Sequence, residues 1–272
     1  MKLKFYGTRG SIPVCEQKFQ KYGGNTTCVA ICNESEIYIF DAGTGIRNLG
    51  IDYFKDGEHD LTNIILAFSH FHWDHIQGFP FFLPAYDTNR EITITTFGRT
   101  DEYFDLKAIF ENQMRTEFFP IPLEKMGAKL NFVQQEATYI ETKYGKIISS
   151  EHNHPGGAYS YRVEINGKVI VFITDVEHFG ELDERVIEIA KDADILIHEA
   201  QYTPEELEKH RGWGHSSWMQ AIEVAKLANV KKLFITHHDP DHDDDFLDNI
   251  EKECKKHFPN VELAKDNLEV EL

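Results

Sequence analysis

The sequence is poor in the features that mark membrane-spanning, exported and disulfide-bonded proteins. No apolar stretch approaches the ~18 residues of a membrane-spanning helix, and the first ten residues hold no apolar core of a secretory signal. The chain has only four cysteines, none in a C-x-x-C pattern. We therefore expect a cytoplasmic protein with reduced thiols and no membrane partner.

Positive charge is also scarce. The 272 residues include 28 Lys and Arg against 46 Asp and Glu, for a formal net charge of −18. A field of this sign repels phosphate backbones and anionic membranes, which excludes a general nucleic-acid coat. A small anionic substrate remains compatible with it, because divalent metals in a cleft reverse the field locally.

The apolar pattern predicts one layered domain. Short runs rich in Val, Ile and Phe, each closed by Gly, Asn, Asp or Ser, predict strands through the first two thirds of the chain. Asn166-Gly167 predicts a tight hairpin turn. After Thr174 the apolar residues recur at helical spacing. Because there is no linker or repeat, we predict a single α/β domain over residues 1–272 with αββα layers.

Histidine is what the chain has in excess, with 14 residues. Four potential metal ligands lie within six residues directly after the apolar strand Asn63–Phe68. A turn at a strand end can direct such side chains at a common centre, so this segment predicts a metal site. The four candidates are His70, His72, Asp74 and His75.

Further ligands must come from other strand ends, because dinuclear sites draw on several elements. Three candidates directly follow predicted strands: His154, Asp175 and His237. His152 and His238 lie close to two of them and are alternatives. We prefer His237 because it directly follows Thr236 at the end of its strand.

The order of these residues resembles that of the metallo-β-lactamase superfamily, with its H-x-H-x-D-H motif at His70 to His75. The resemblance implies an αββα sandwich with two metal ions at one edge of the sheets. It assigns His154 rather than His152, because Tyr161-Arg162 follows at the spacing of the nuclease branch. It places His70, His72 and His154 on metal 1, Asp74, His75 and His237 on metal 2, and Asp175 between them.

Two further segments resemble loops of ribonuclease Z and its phosphodiesterase relatives. They are His198-Glu199-Ala200-Gln201 and Gly214-His215-Ser216-Ser217. The similarity implies that Glu199 orients His215 and that His215 contacts the scissile phosphate and protonates the leaving oxygen. It also implies that Asp74 and Asp175 hold the nucleophile, a metal hydroxide that attacks phosphorus.

The chain departs from ribonuclease Z between His154 and Asp175. That family carries a long arm for transfer RNA there, whereas these residues are 21 positions apart and are filled by the hairpin. With the negative charge, this predicts that transfer RNA is not the substrate. The opening segments Gly7–Pro13 and Tyr22–Thr27 resemble stand-alone members that open cyclic nucleotides, including the anti-Pycsar phosphodiesterases.

We therefore expect a dinuclear phosphodiesterase that hydrolyses 3′,5′-cyclic nucleotides. The alternatives are a ribonuclease Z-like nuclease or another phosphodiesterase, and a non-hydrolytic di-iron or nucleotide-sequestering module. Zinc is the expected metal because five of the seven ligands are imidazoles, with manganese or iron as alternatives. The resemblance also implies a homodimer. The apolar segment 110–126 is predicted to contact the core, a second subunit or the substrate.

Overall fold

Two seven-stranded β-sheets form the centre of the protein, with helices on both outer sides. The computed structural model describes residues 1–33, 36–54, 63–99, 104–142 and 144–272, and all bounds below refer to them. The strands are β1 (Lys2–Gly7), β2 (Cys28–Cys32), β3 (Glu36–Phe40), β4 (Asn63–Ala67), β5 (Glu91–Phe97), β6 (Lys129–Gln135), β7 (Tyr139–Thr142), β8 (Gly145–His152), β9 (Ala158–Ile165), β10 (Lys168–Ile173), β11 (Ile195–Glu199), β12 (Lys232–Thr236), β13 (Val261–Leu263) and β14 (Glu269–Glu271). The helices are α1 (Ile46–Phe54), α2 (Trp73–Ile76), α3 (Leu106–Gln113), α4 (Glu184–Ala190), α5 (Pro204–Leu207), α6 (Trp218–Leu227) and α7 (Asp244–His257).

The two sheets have the same plan. The first has the order β14-β1-β2-β3-β4-β5-β6 and the second β13-β12-β11-β10-β9-β8-β7. Neighbours from β3 to β6 are parallel, as are those from β10 to β13, and the remaining pairs are antiparallel. The carboxyl ends of parallel strands share one edge of a sheet, which is where functional side chains gather in such folds.

Side-chain alternation along the strands produces the layers. On β3, Ile37 and Ile39 pack in the cluster that includes α1 and α3, whereas Tyr38 and Phe40 pack in the cluster shared by both sheets. A second outer cluster joins the other sheet to α4, α6 and α7. Successive strand residues point to opposite faces, so a strand with apolar residues at every position is covered on both. The four-layer αββα prediction is confirmed.

The predicted hairpin is also present, since Asn166 and Gly167 have φ of 51° and 75° and join β9 to β10. Positive φ at both central residues is the requirement of a type I′ turn. The short strands β13 and β14 were not predicted, and β14 pairs with β1, so the two ends of the chain share a sheet. The single domain over 1–272 stays a prediction.

Segment 110–126 divides between the core and the surface. Phe110, Met114 and Leu123 are buried in the cluster under the first sheet, whereas the Phe118 side chain is 71% exposed. The core interpretation therefore holds for most of its apolar residues. Among the described helices, none combines the length and the apolar composition needed to cross a membrane.

Candidate metal centre

The histidine-rich segment lies at the edge of the first sheet, where β4 ends and α2 begins. The backbone N–H of Ser69 donates to Asp41 Oδ1 at 2.8 Å, and Nδ1 of His75 lies 2.9 Å from Asp41 Oδ2. Asp41 therefore fixes both the loop and the ring of one ligand candidate. A carboxylate on the outer nitrogen of a histidine is the usual partner of a metal-ligating ring.

Three residues of the site adopt a backbone conformation that residues other than glycine rarely adopt. The φ angle is 61° at Asp41, 51° at Asp175 and 60° at His237. They follow β3, β10 and β12, all in the parallel halves of the sheets. Such positions cost about 1–3 kcal/mol each and persist where the surroundings hold them, which is common at functional sites.

The structure brings all seven ligand candidates together in two groups that share Asp175, divided as the resemblance implies. In each group the ligand atoms all lie within 4.8 Å of one another. The first group consists of Asp175 with His70, His72 and His154. The second consists of Asp175 with Asp74, His75 and His237.

The donor atoms fit divalent metal ions. Around a tetrahedral ion with bonds of roughly 2.1 Å, donor atoms lie about 3.4 Å apart. Nε2 of His75 lies 3.3 Å from Asp74 Oδ2 and 3.2 Å from Asp175 Oδ1, and Nε2 of His237 lies 3.2 and 3.3 Å from the same two oxygens. Nε2 of His70 and of His75 are buried and make no hydrogen bond. Because unpartnered buried polar atoms are costly, this arrangement suits a cation bound between the side chains.

The electrostatics of the site also favour a cation. Burial opposes the ionisation of Asp175, but the neighbouring His237 and His75 outweigh it and hold the pKa of that carboxyl well below its usual range. Burial lowers the pKa of His70 far below its ordinary value. Burial also acts to lower the pKa of His75, but Asp175 and Asp74 outweigh it and raise that pKa. Ionised carboxylates with a neutral His70 are the forms that bind metals.

The two neighbouring histidines do not belong to these groups. Nε2 of His152 lies 2.9 Å from the carbonyl oxygen of Thr174, and its Nδ1 lies 2.8 Å from the hydroxyl of Ser160. Nε2 of His238 lies 2.7 Å from the carbonyl oxygen of Ala264. Their ring nitrogens thus face backbone and hydroxyl groups, whereas His154 and His237 face Asp175.

His215 lies beside the second group. Its ring centre is 5.1 Å from that of His237, and its Nδ1 is 3.9 Å from Asp175 Oδ2. Burial lowers the pKa of His215 to about 3, so the ring is neutral in the free site at pH 7. A negatively charged group bound beside the ring would favour its protonated form.

Glu199 does not contact His215 as the resemblance implies. The nearest Glu199 oxygen is 3.9 Å from His215 Nδ1, which is too far for a hydrogen bond. Glu199 Oε1 instead accepts from the backbone N–H of Ser216 at 2.6 Å and from its hydroxyl at 3.0 Å. Burial raises the pKa of Glu199 to about 8. Glu199 therefore positions His215 through the backbone of the next residue. Glu199, His215 and His237 also form a third group of potential ligands.

Sequence reasoning missed Glu177, which anchors the same loop. Its buried carboxylate accepts from the backbone N–H of Gly212 at 2.6 Å and of Gly214 at 2.8 Å. Nδ1 of His154 lies 2.8 Å from the carbonyl oxygen of Gly214, so one ligand candidate is tied to the loop that carries His215. The signals in the sequence were an acidic residue two positions after Asp175 and two glycines just before His215.

The opening loop closes the second group from the other side. The backbone N–H of Ser11 donates to Asp74 Oδ2 at 2.8 Å. A Cβ atom at Gly10 would lie 2.5 Å from His237 Nδ1. The glycine therefore allows the backbone to approach the ring of a ligand candidate.

The chain matches known proteins along nearly its whole length. Residues 38–238 match the model described as beta-lactamase superfamily domain. Ribonuclease Z of Methanosarcina acetivorans is 28% identical, over 100% of this chain and 98% of the relative. Ribonuclease BN of Escherichia coli is 27% identical, over 98% of both. The crystal structure of the metallo-β-lactamase fold protein YhfI from Bacillus subtilis has a TM-score of 0.74 at 20% identity, over 99% of both chains.

These relatives count against the expectation that transfer RNA is not a substrate. The residues between His154 and Asp175 form a simple hairpin with a two-residue turn and no long arm, as the sequence predicted. Proteins named ribonuclease Z nevertheless match this chain from end to end. RNA therefore stays among the candidate substrates.

The family match covers most of the chain, and the shared fold and the full-length relatives agree with it. The chain belongs to the metallo-β-lactamase superfamily, as a hydrolase of the branch related to ribonuclease Z.

Proposed function

We propose that the protein is a dinuclear metal-dependent phosphodiesterase that hydrolyses 3′,5′-cyclic nucleotides. The observation that carries the proposal is the position of His215, which lies beside two donor groups joined by Asp175. A thioester releases a thiolate, which departs without a proton, whereas the leaving alkoxide of a phosphodiester requires one. The short hairpin between β9 and β10 favours a small substrate.

Two ions held by these groups would lower the pKa of a shared water molecule and neutralise charge on the phosphoryl group. Asp74 and Asp175 would help to hold these ions, and their ionised carboxylates would also accept a hydrogen bond from a water molecule bound there. His215 contacts the phosphoryl group and donates its proton to the departing ribose oxygen. Glu177 and Glu199 hold the His215 loop, so the ring meets the substrate in one orientation.

The substrate proposal is tested by assaying cyclic AMP, GMP, CMP and UMP with zinc-loaded and manganese-loaded protein. Each assay is paired with a linear dinucleotide and a transfer RNA precursor. We expect turnover of at least one cyclic nucleotide. Cleavage of the linear substrates alone would overturn the cyclic substrate and favour RNA, the second candidate, which the relatives named ribonuclease Z support.

We also propose that two metal ions bind per chain and that they are zinc. Five of the seven ligand candidates are imidazoles, which suit zinc. Elemental analysis of protein purified without added metal should give two zinc ions per chain, and His237→Ala should reduce that number. A value of one that His237→Ala leaves unchanged would contradict the dinuclear site, and iron with a visible absorption band would favour the redox alternative.

A homodimer is proposed on an exposed apolar patch formed by Phe81, Leu83 and Phe118. The ring of Phe81 contacts that of Phe119 with centres 5.5 Å apart, which joins segment 110–126 to the short 3-10 helix Phe79–Phe81. Exposed apolar patches of this kind mark interaction surfaces. Light scattering should give twice the chain mass, and Phe118→Asp should reduce it to one chain. A monomeric wild-type protein would contradict the proposal.

A further inference from the structure

The two donor groups differ in exposure, and this shows where a substrate enters. All four residues of the second group are buried. In the first group His72 is exposed. The side chain of His154 is only 1% exposed, but its Nε2 lies 3.0 Å from Nδ1 of His72. The site therefore opens to solvent at the edge of the first group where His72 lies.

Three exposed aromatic residues are attached to that edge. Trp73, which is 66% exposed, directly follows His72. Trp213, which is 63% exposed, directly precedes Gly214, whose carbonyl oxygen lies 2.8 Å from Nδ1 of His154. The backbones of both tryptophans therefore lie beside ligand candidates of the first group. The Trp213 ring also contacts the ring of His210, with centres 4.9 Å apart.

Phe179 belongs to the same rim and is 65% exposed. It lies two residues after Glu177, in the same loop. The backbone N–H of Glu177 donates to the carbonyl oxygen of Asn153, which is the residue before His154. The Glu177 carboxylate also holds Gly212 and Gly214. The loops that carry Phe179 and Trp213 are therefore bound to each other and to the open edge.

Their exposure contrasts with that of the third tryptophan. Trp218 packs against the apolar cluster beneath α6, as large aromatic side chains usually do, because burying them is strongly favourable. An indole left in water at the mouth of a site gains that stabilisation only when a ligand covers it. A planar nucleobase is the part of a phosphodiester that an indole covers well, and such stacking needs no positive charge, which this chain has little of.

We propose that Trp73 and Trp213 form a stacking platform that binds the base of a nucleotide while its phosphate occupies the metal centre. The platform makes the substrate class a base-bearing phosphodiester rather than any small phosphodiester. It accepts different bases, because stacking uses the ring face and not the hydrogen-bonding edge. This inference rests on the proposed phosphodiesterase function for the position of the phosphate.

The test measures binding of AMP and of ribose 5-phosphate, which lacks the base, to zinc-loaded protein by calorimetry. We expect AMP to bind roughly 10- to 100-fold more tightly than ribose 5-phosphate, as one base stacked on aromatic rings warrants. Trp73→Ala and Trp213→Ala should each weaken AMP binding and bring that ratio close to one. The affinity for ribose 5-phosphate should stay unchanged. Trp73→Phe and Trp213→Phe should keep most of it, because phenylalanine retains a stacking face.

Tyr139→Ala is the matched control, since Tyr139 is an exposed aromatic residue on β7, and it should leave both affinities unchanged. Wild-type tryptophan fluorescence gives a reading that needs no variant: AMP should quench it and ribose 5-phosphate should not. Equal affinities of the two ligands, or a ratio that survives both alanine substitutions, would overturn the platform.

The outcome is separable from that of the proposed function. Binding that depends on the base, without turnover of any phosphodiester, would overturn the function and keep the platform. Hydrolysis of cyclic nucleotides with wild-type KM in the Trp73→Ala/Trp213→Ala double variant would overturn the platform and keep the function.

Discussion

At the scale of single residues, the chemistry of the site is divided among groups in different environments. Asp175 is shared by both donor groups and is held ionised, whereas burial keeps His215 neutral in the free site. The first arrangement suits a bound cation, and the second leaves a neutral imidazole beside it. Groups whose surroundings move their pKa values apart are typical of acid and base pairs in active sites.

His215→Ala should lower kcat by roughly 10²- to 10⁴-fold without changing the metal content, because it removes the proton donor and none of the seven ligand candidates. The loss should be smaller with bis(p-nitrophenyl) phosphate, whose phenolate departs without a proton, than with a ribose leaving group. Steady-state kinetics on both substrates measure this. Equal losses would mean that His215 only positions the phosphate.

Gly10→Ala should disturb the second donor group. The added Cβ would lie 2.5 Å from Nδ1 and 2.6 Å from Cε1 of His237, and that ring already lies 3.2 Å from Asp74. We expect the affinity of the second donor group for a metal ion to fall by roughly 10- to 100-fold, as it does when a residue that orients a metal ligand is substituted. Metal titration measures it, with Gly50→Ala in α1 as a control whose nearest contact is 3.2 Å. Unchanged affinity in Gly10→Ala would show that His237 does not depend on this approach.

At the scale of elements, the site is assembled by loops at strand ends that carboxylates hold together. The loop before α6 has no regular structure of its own around Gly212 and Gly214, whose φ angles are 87° and 90°. Glu177 binds its first part and Glu199 its last part. The position of His215 is therefore determined by hydrogen bonds from residues after β10 and at the end of β11.

Glu177→Gln should loosen that loop, because the amide replaces one acceptor oxygen by a donor that faces a backbone N–H. We expect kcat to fall by about 10-fold with unchanged metal content, since misplacement of a catalytic group by a small distance is costly. The decrease should be larger with a ribose leaving group than with p-nitrophenolate, which a purely structural effect would not produce. Glu181→Gln, in the same loop and exposed, is the matched control. A loss of equal size in both variants would contradict the role of Glu177.

At the scale of the whole molecule, Asp266 joins the end of the chain to its beginning. Its Oδ2 accepts from the backbone N–H of Asn25 at 3.1 Å and from the Asn25 side chain at 2.8 Å. Burial raises the pKa of Asp266 to about 6, against about 3.9 in an unfolded chain. The folded protein therefore binds more protons than the unfolded chain between these values. The contribution of Asp266 to stability is fully present below the lower value and is lost as the pH rises through 6.

Asp266→Asn should remove this part of the pH dependence, because the amide keeps the shape and does not titrate. The free energy of unfolding in urea, measured at pH 4.5 and 7.5 in the presence of a chelator, should fall more for the wild type than for the variant. The comparison of the two proteins cancels the other titrating groups. Parallel changes in both proteins would show that Asp266 has an ordinary pKa.

The sequence by itself determined most of the strands, the hairpin and the main ligand segment. These features depend on neighbours along the chain: the apolar runs Ile37–Phe40 of β3 and 169–173 of β10, positive φ at Asn166-Gly167, and four donors shortly after β4. Local signals of this kind survive without knowledge of the partner strands.

The sequence favoured His154 and His237 over their neighbours, but only the tertiary structure shows that these two face Asp175 and which groups support the site. A displacement of one residue turns a side chain to the opposite direction, so His237 and His238 differ completely in surroundings although they are adjacent. Glu177 contacts two backbone N–H groups of a loop distant in sequence, and β14 pairs with β1. The positive φ angles at Asp175 and His237 also depend on surroundings from other parts of the chain. These features arise from the packing of the two sheets, which brings strand ends from both halves of the chain to one edge.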